Sequence, residues 1–388
     1  MKFKRIIAFL IISAIIFGRM DIACANTQPN FNIDAKSALL MEAASGKILY
    51  EQNSHEKLPP ASVTKIMTIL LIYDAIESGR IKPEDMVTVS EHAADMGGSQ
   101  IFLEPYEQQT VYDLLKSIII ASANDAAVAM AEHIGTSEEN FVSMMNERAK
   151  SLGMQDTNFI NACGLDVDGH ETSAYDIALM SRELINKYPQ VFDLTKIWMD
   201  TITHKTKRGE NQFGLSNTNK LIKTYSGATG LKTGSTGKAL FCISATAQRD
   251  GMNLISVIMG APNPKTRFGE AAKLLDYGFA NYQVIKGEPA GTVKGKIKIY
   301  KGQKDETDIA IKDEVSTVGP KANKNNIESE IELMSALNAP VKKGAKAGEI
   351  IYKLDGQEIG RSDLVTVEDI KKATFGDIIK KLFQKWFG

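Results

Sequence analysis

The stretch from Pro59 to Gly79, PPASVTKIMTILLIYDAIESG, leaves the chain few ways to fold. Val63, Ile66, Met67, Leu70 and Leu71 recur at helical spacing, the prolines stop the chain before them, and Gly79 ends the run. The helix they define is apolar nearly all round, so no side of it suits water. It has to lie at the centre of a domain, with other elements enclosing it. The chain can supply that cover. Its 388 residues correspond to two or three domains at ~150 residues each, and 43% of them are apolar, enough for packed cores.

SALLMEAASGKILYEQN reads as a hairpin turning at Ser45–Gly46. A second helix, TVYDLLKSIIIA, starts at a Thr110 cap with Asp113 three residues on. The polar SAND, Ser122 to Asp125, interrupts it; DAAVAMAEHIG resumes it and stops at Gly135. EENFVSMMNERAKSLG and SAYDIALMSRELINKY are amphipathic helices. From Gly230 strands dominate: ALFCISATAQ and MNLISVIMGA join at Asp250–Gly251, and RFGEAAKLLDYGFANY closes the region as a helix. Strand and helix do not alternate, so the fold class is α+β rather than doubly wound. Near Lys286 the composition shifts to period-two segments between Gly, Asn and Lys turns, the pattern of a small all-β domain.

The N-terminus stands outside this fold. Lys2, Lys4 and Arg5 precede the short apolar IIAFLIISAIIF, and ACA at Ala23–Ala25 is a small-residue cleavage site. Together they predict a secretory signal peptide cut after Ala25. A lipoprotein reading at Cys24 is weaker, because Asp21 stands where an aliphatic residue is expected. The expected organisation is a signal peptide at 1–25, a main domain at 26–285, a β domain at 286–366 and a terminal helix at 367–388. The net charge of -1, with no polybasic block in the first 300 residues, excludes a nucleic-acid partner. Cys163 and Cys242, left after cleavage, are expected to be free and buried. The five histidines form no metal-ligand pair, so neither metal nor cofactor is expected.

Three motifs carry chemistry. Ser62-x-x-Lys65 sets two side chains about one turn apart on one face. A neutral amine there can take the serine proton and make the hydroxyl a nucleophile. Ser54–Lys57 and Ser235–Lys238 share the spacing but sit in glycine- or charge-rich turns. Ser62 opens a buried helix, whose free N–H groups favour an oxyanion; an ordinary cap explains Ser62 in isolation equally well. Ser122-x-Asn124 lies in the helical break. Its side chains can satisfy freed backbone groups there, or relay a proton and grip a substrate backbone. Lys232-Thr233-Gly234 is the only K-T-G in the chain and enters a strand. It reads as a solvated edge, or as a cradle where Gly234 lets two backbones approach while Lys232 and Thr233 grip an anion. The three motifs in this order, each in suitable local structure, make up the set of β-lactamases and penicillin-binding proteins. A base lysine must be neutral, far from its reference pKa of ~10.4. Burial and a second cation, Lys232, both act in that direction, and the two amines titrate as a pair.

The sequence closely resembles low-molecular-weight penicillin-binding proteins of the D-alanyl-D-alanine carboxypeptidase type. LPPASVTKIMT, GGSQIFLEPYEQQTVYDLL, SANDAAVAMAE, GLDVDGHETSAYDIALM and NTNKLI…GATGLKTG carry the resemblance, which covers nearly the whole chain. It implies a β-lactamase-like transpeptidase domain, followed by a small all-β domain and an amphipathic helix. It also implies roles. Ser62 attacks the carbonyl between two terminal D-alanines of a peptidoglycan stem peptide, and Lys65 is the general base. Ser122 and Lys232 shuttle protons and hold the amine side, while Asn124 binds the substrate backbone. The N–H groups of Ser62 and Ser235 hold the oxyanion, and Gly234 belongs to the substrate-binding strand. Thr233 and Arg267 hold the terminal carboxylate. Water then releases the acyl-serine, and β-lactam antibiotics stall on the same path as inhibitors. The sequence departs from the family pattern at Cys163, where many members have histidine, and at Ser235, where many have histidine or an aromatic.

Two further readings share the motifs. A serine β-lactamase needs a carboxylate for its deacylating water. Glu183 in SRELIN lies inside an amphipathic helix, three residues before Asn186 where the class A pattern has four. A non-enzymatic β-lactam or cell-wall sensor would acylate and stay acylated. In the tail, Phe375, Ile378, Ile379, Leu382, Phe383, Trp386 and Phe387 form an apolar stripe, with Lys371, Lys372, Lys380, Lys381 and Lys385 between them. So many lysines rule out a spanning helix. The pattern predicts that residues 368–388 lie on an anionic membrane surface, at the outer face of the cytoplasmic membrane of an exporting cell. A helix docked on the β domain is the alternative.

Overall fold

The computed structural model describes residues 31–206, 209–321, 327–354 and 356–387. The expected signal peptide and Cys24 lie outside the described residues. Strand β1 (Ser37–Glu42) pairs antiparallel with β2 (Ile48–Gln52), as the hairpin pattern requires. A single 3-10 turn, Ala61–Thr64, carries Ser62 and leads into α1 (Lys65–Glu77). Every residue of α1 from Lys65 to Tyr73 is buried, the outcome its composition demands. The interrupted helix forms α2 (Val111–Ile120) and α3 (Asn124–Gly135). The Thr110 hydroxyl caps α2 by accepting the Asp113 N–H. Two amphipathic helices, α4 (Glu138–Ser151) and α5 (Ala174–Lys187), are capped by Ser137 and Ser173. All of these helices contribute to one core around α1.

A hairpin that the sequence reading missed follows: β3 (Met199–Thr206) pairs with β4 (Gly209–Ser216). Only Ile202, His204 and Leu215 in it are buried, so it shows too little apolar alternation to register as a pattern. Strands β5 (Ala228–Thr236), β6 (Leu240–Arg249) and β7 (Met252–Ala261) come next. Among the described residues they join the first hairpin in an antiparallel sheet of order β2-β1-β7-β6-β5. Side chains alternate across it. Leu39, Met41, Ile255 and Val257 enter the helical core, while Leu40 and Leu254 meet Gly278 of α6 (Pro264–Asn281) on the other face. The β1–β7 pairing joins the first hairpin to the other strands, and β5 is the edge beside the Ser62 turn.

The C-terminal residues form a second sheet around Ile297, Ile309, Ile350, Tyr352, Leu364 and Ile370. Ile370 follows the last strand yet is buried in that core. The terminal helix α7 spans Phe375–Phe387. It exposes Phe375, Leu382, Phe383 and Trp386, while Lys381 Nζ donates to Gly302 O at 2.9 Å and pairs with Asp305. The side chains of Lys385 and Phe387 lie outside the described residues. Cys163 and Cys242 are free and buried.

Candidate active site

The base of the cleft is the turn into α1. Ser62 is half-buried, and Lys65, the first residue of α1, is buried completely. Lys65 Nζ lies 2.6 Å from Asn124 Oδ1, 2.7 Å from Cys163 O and 3.1 Å from Ser62 Oγ. A neutral amine has two N–H bonds and one lone pair. The two fixed acceptors, Asn124 Oδ1 and Cys163 O, use both N–H bonds and leave the lone pair for the Ser62 hydroxyl. Burial pushes the Lys65 pKa down to about 8, although Cys163 and Asp125 pull the other way.

The helical break supplies the second wall. Ser122 takes a left-handed conformation, φ 62°, and its hydroxyl accepts from Lys232 Nζ at 2.7 Å. Lys232 also donates to Thr233 O at 3.1 Å. Burial holds the Lys232 pKa well below the ordinary lysine range, and the charges of Lys65 and Arg267 add to the shift. Asn124 spends its amide on the protein: Oδ1 accepts from Lys65, and Nδ2 donates to Gly97 O at 2.6 Å.

The third wall is β5. A Cβ at Gly234 would stand 2.8 Å from Ser62 N and 2.9 Å from Pro60 O and Val63 N. Only glycine lets this strand press on the turn that bears the serine. Thr233 Oγ1 donates to Thr218 Oγ1 at 2.7 Å, and Ser235 is exposed at the strand's end. Arg267, in the first turns of α6, donates to Gly234 O at 3.2 Å and Cys242 O at 3.4 Å. It also lies over the rings of Phe268 and Phe241. Its buried Nε has no partner among the described residues, and burial lowers its pKa to about 10.

The structure therefore brings all three motifs and Arg267 to one cleft. The other S-x-x-K matches do not assemble. Ser54 donates to Glu51 while Lys57 pairs with Glu171, and Lys238 pairs with Asp168. Glu183 lies 2.6 Å from Arg148 in a structural ion pair.

Several contributors have no sequence signature. The carbonyls of Cys163 and Gly97 act through backbone atoms. His170 sits beneath the turn: Ile160 N donates to its Nδ1 at 2.9 Å, so Nε2 carries the proton and donates to Thr64 Oγ1 at 2.8 Å. Burial pushes its pKa down to about 4, which keeps it neutral. Asn219 Nδ2 holds Gly230 O at 2.8 Å and so sets the start of β5. The quoted GLDVDGHE and NTNKLI contain these side chains, but pattern alone assigns them no task.

A family model described as D-alanyl-D-alanine carboxypeptidase matches residues 23–263. One described as penicillin-binding protein 5, C-terminal domain, matches residues 282–372. The chain is 44% identical over 354 residues to the D-alanyl-D-alanine carboxypeptidase DacF of Bacillus subtilis, covering 91% of this chain and 90% of the relative. It is 34% identical over 386 residues to the carboxypeptidase DacC of Escherichia coli, covering 96% and 94%. Penicillin binding protein 5 from Haemophilus influenzae superposes with a TM-score of 0.74 at 33% identity, over 89% of this chain and 99% of the other. Penicillin-binding protein D2 of Listeria monocytogenes, in its cefotaxime-bound form, superposes with a TM-score of 0.57 at 33% identity, over 65% of this chain and 100% of the other. A match to the catalytic family model across most of the chain, joined to near-full-length likeness to named carboxypeptidases, shows that this chain belongs to the D-alanyl-D-alanine carboxypeptidase family.

Proposed function

We propose that the protein is a serine-type hydrolase that removes the terminal D-alanine from peptidoglycan stem peptides. The observation that carries this reading is the placement of Lys65 Nζ 2.6 Å from Asn124 Oδ1, 2.7 Å from Cys163 O and 3.1 Å from Ser62 Oγ, which in the neutral amine leaves the lone pair to the Ser62 hydroxyl. Lys65 takes the hydroxyl proton as Ser62 Oγ bonds to the carbonyl carbon between the two D-alanines. The N–H groups of Ser62 and Ser235 stabilise the oxyanion. The C–N bond then breaks, and the proton that Lys65 took passes through Ser122 and Lys232 to the leaving amine, which returns Lys65 to its neutral form. Thr233 and Arg267, whose Nε has no partner among the described residues, hold the carboxylate of the leaving D-alanine. Asn124 orients Lys65, and its contact with substrate requires the amide to be shared. Water attacks the acyl-serine and restores the hydroxyl. A β-lactam follows the first half of this path and remains as an ester.

The carboxylate weighed for a β-lactamase, Glu183, is committed to Arg148. The sensor reading is separated by product. Release of D-alanine from a pentapeptide is expected from the wild-type protein and not from Ser62→Ala. Fluorescent penicillin should label the wild type, Ser54→Ala and Ser235→Ala, but not Ser62→Ala. Labelling without D-alanine release would favour the sensor, and a labelled Ser62→Ala would remove the serine from its role.

The protein further acts, in this reading, after export and at the membrane surface. The signal-peptide pattern at 1–25 supports export. The exposed Phe375, Phe383 and Trp386 of α7, interspersed with lysines, support peripheral attachment. Among the described residues no helix is long and apolar enough to cross a membrane.

A further inference from the structure

Two N–H groups have to meet one oxygen for the oxyanion to be held: Ser62 N on the turn into α1 and Ser235 N on β5. Each has to stay within about 2.7–3.1 Å of it. They sit on different elements, and β5 is an edge strand. Among the described residues it pairs on one side only, with β6. Ser235 is exposed near its end. Gly234 rests on the Ser62 turn, but the end of an edge strand frays unless something holds it from the open side.

Asp166 supplies that hold. Thr236 Oγ1 donates to Asp166 Oδ1 at 2.7 Å, and Lys238 N donates to Oδ2 at 3.3 Å. Thr236 Oγ1 also accepts the Ala239 N–H at 3.0 Å. One side chain thus grips the end of β5 and the turn into β6 together, and a carboxylate makes stronger bonds of this kind than a neutral acceptor. Asp166 is itself tied back to the Ser62 turn. Asn161 Oδ1 accepts from Gly164 N at 2.7 Å and Leu165 N at 3.2 Å, and its Nδ2 donates to Leu165 O at 3.0 Å. Gly164, with φ 89°, lies so close to the turn that a Cβ there would stand 1.9 Å from Ala61 O. The contacts close a ring: from the Ser62 turn to Gly164, Asp166 and Thr236, then along β5 to Gly234 and back to Ser62. Ser235 lies on that ring between Thr236 and Gly234. Asp168 reaches only the Lys238 amine and is 98% exposed, so its ion pair contributes little.

We infer that Asp166 is a positioning residue, which acts through Thr236 to hold the Ser235 N–H beside the Ser62 N–H so that both meet the developing oxyanion. This rests on the oxyanion site of the proposed function.

The test measures acylation of Ser62 by a D-alanyl ester substrate and by its thionoester, in which sulfur replaces the carbonyl oxygen. Sulfur accepts hydrogen bonds weakly, so the thionoester gains little from the two N–H groups. Rates are taken per active site, titrated with penicillin, so that a loss of folded protein does not mimic the effect. The wild type is expected to react about tenfold or more faster with the ester. Asp166→Ala should slow the ester by about tenfold and the thionoester far less, which narrows the preference. Thr236→Val should do the same, and Thr236→Ser, which restores the hydroxyl, should recover the wild-type preference. Asp168→Ala should stay within about twofold of the wild type on both. A preference that stays wide in Asp166→Ala and Thr236→Val, or equal losses on the two substrates, overturns the positioning role and leaves the carboxypeptidase reading intact. A wild type that reacts with both substrates at one rate removes the oxyanion site, and the role of Asp166 with it. Release of D-alanine from a pentapeptide by the same wild type checks the carboxypeptidase reading separately.

Discussion

At the residue scale the protonation of one amine controls the chemistry. Burial brings Lys65 to about 8, and only its neutral form can accept the Ser62 proton. Acylation by penicillin should therefore rise with pH and level off above about 8. A rate constant that stays flat from pH 6 to 9 would separate Lys65 from the proton transfer. Lys65→Arg keeps a cation but cannot act as a base, and should slow acylation on the order of 10²–10⁴-fold. The Ser62–Lys65 spacing was plain in the sequence, and so was the Ser122-x-Asn124 pair. The acceptors that orient the amine were not: Cys163 acts through its carbonyl, and a backbone carbonyl is common to every residue type.

At the element scale the β3–β4 hairpin is tied to the segment before α2 by a buried pair, Glu107–His204. The Glu107 hydrogen bond raises the His204 pKa, outweighing burial. Burial is the largest single influence on Glu107 and would raise its pKa, but the hydrogen bonds from His204, the Glu104 backbone and Gln109 together outweigh it, and the pKa falls. The signs define a window. The His204 contribution is full below its unfolded value of ~6.5 and is lost as pH rises through its raised folded value. The Glu107 contribution is full above ~4.3 and is lost as pH falls through its lowered folded value. His204→Gln should therefore cost about 2–3 kcal/mol near pH 6 and progressively less at alkaline pH. Thermal midpoints of both proteins measured across pH would show this, and a difference independent of pH would rule out the ionic origin. The helices around the site were legible from caps and spacing. This hairpin was not, because its burial rests on a few residues and its partner Glu107 is 97 positions away from His204.

At the scale of the whole molecule, α7 touches the β domain through Lys381 on Gly302 O and Asp305, whereas Ile370 just before it is part of the β core. A deletion that tests the proposed membrane attachment without cutting the β core therefore begins at Phe375. Deleting residues 375–388 should release the protein from membranes and leave turnover of a soluble peptide within about twofold. The intact protein should bind anionic vesicles better than zwitterionic ones, with salt weakening the contact. A truncated protein that stays in the membrane fraction would place the attachment elsewhere.

Local information determined a good deal by itself. The buried helix, the interrupted one, the hairpin, the two long strands β6 and β7 and the ordered motifs could all be read from contiguous residues, because periodicity, caps and turns are local properties. Tertiary structure alone decided what those motifs can do. The state of Lys65 depends on its burial and on acceptors 59 and 98 positions away. The approach of β5 to Ser62 depends on Gly234 meeting a turn from the other end of the domain. Desolvation and close approach are sums over distant segments packed together, and no window of sequence contains them.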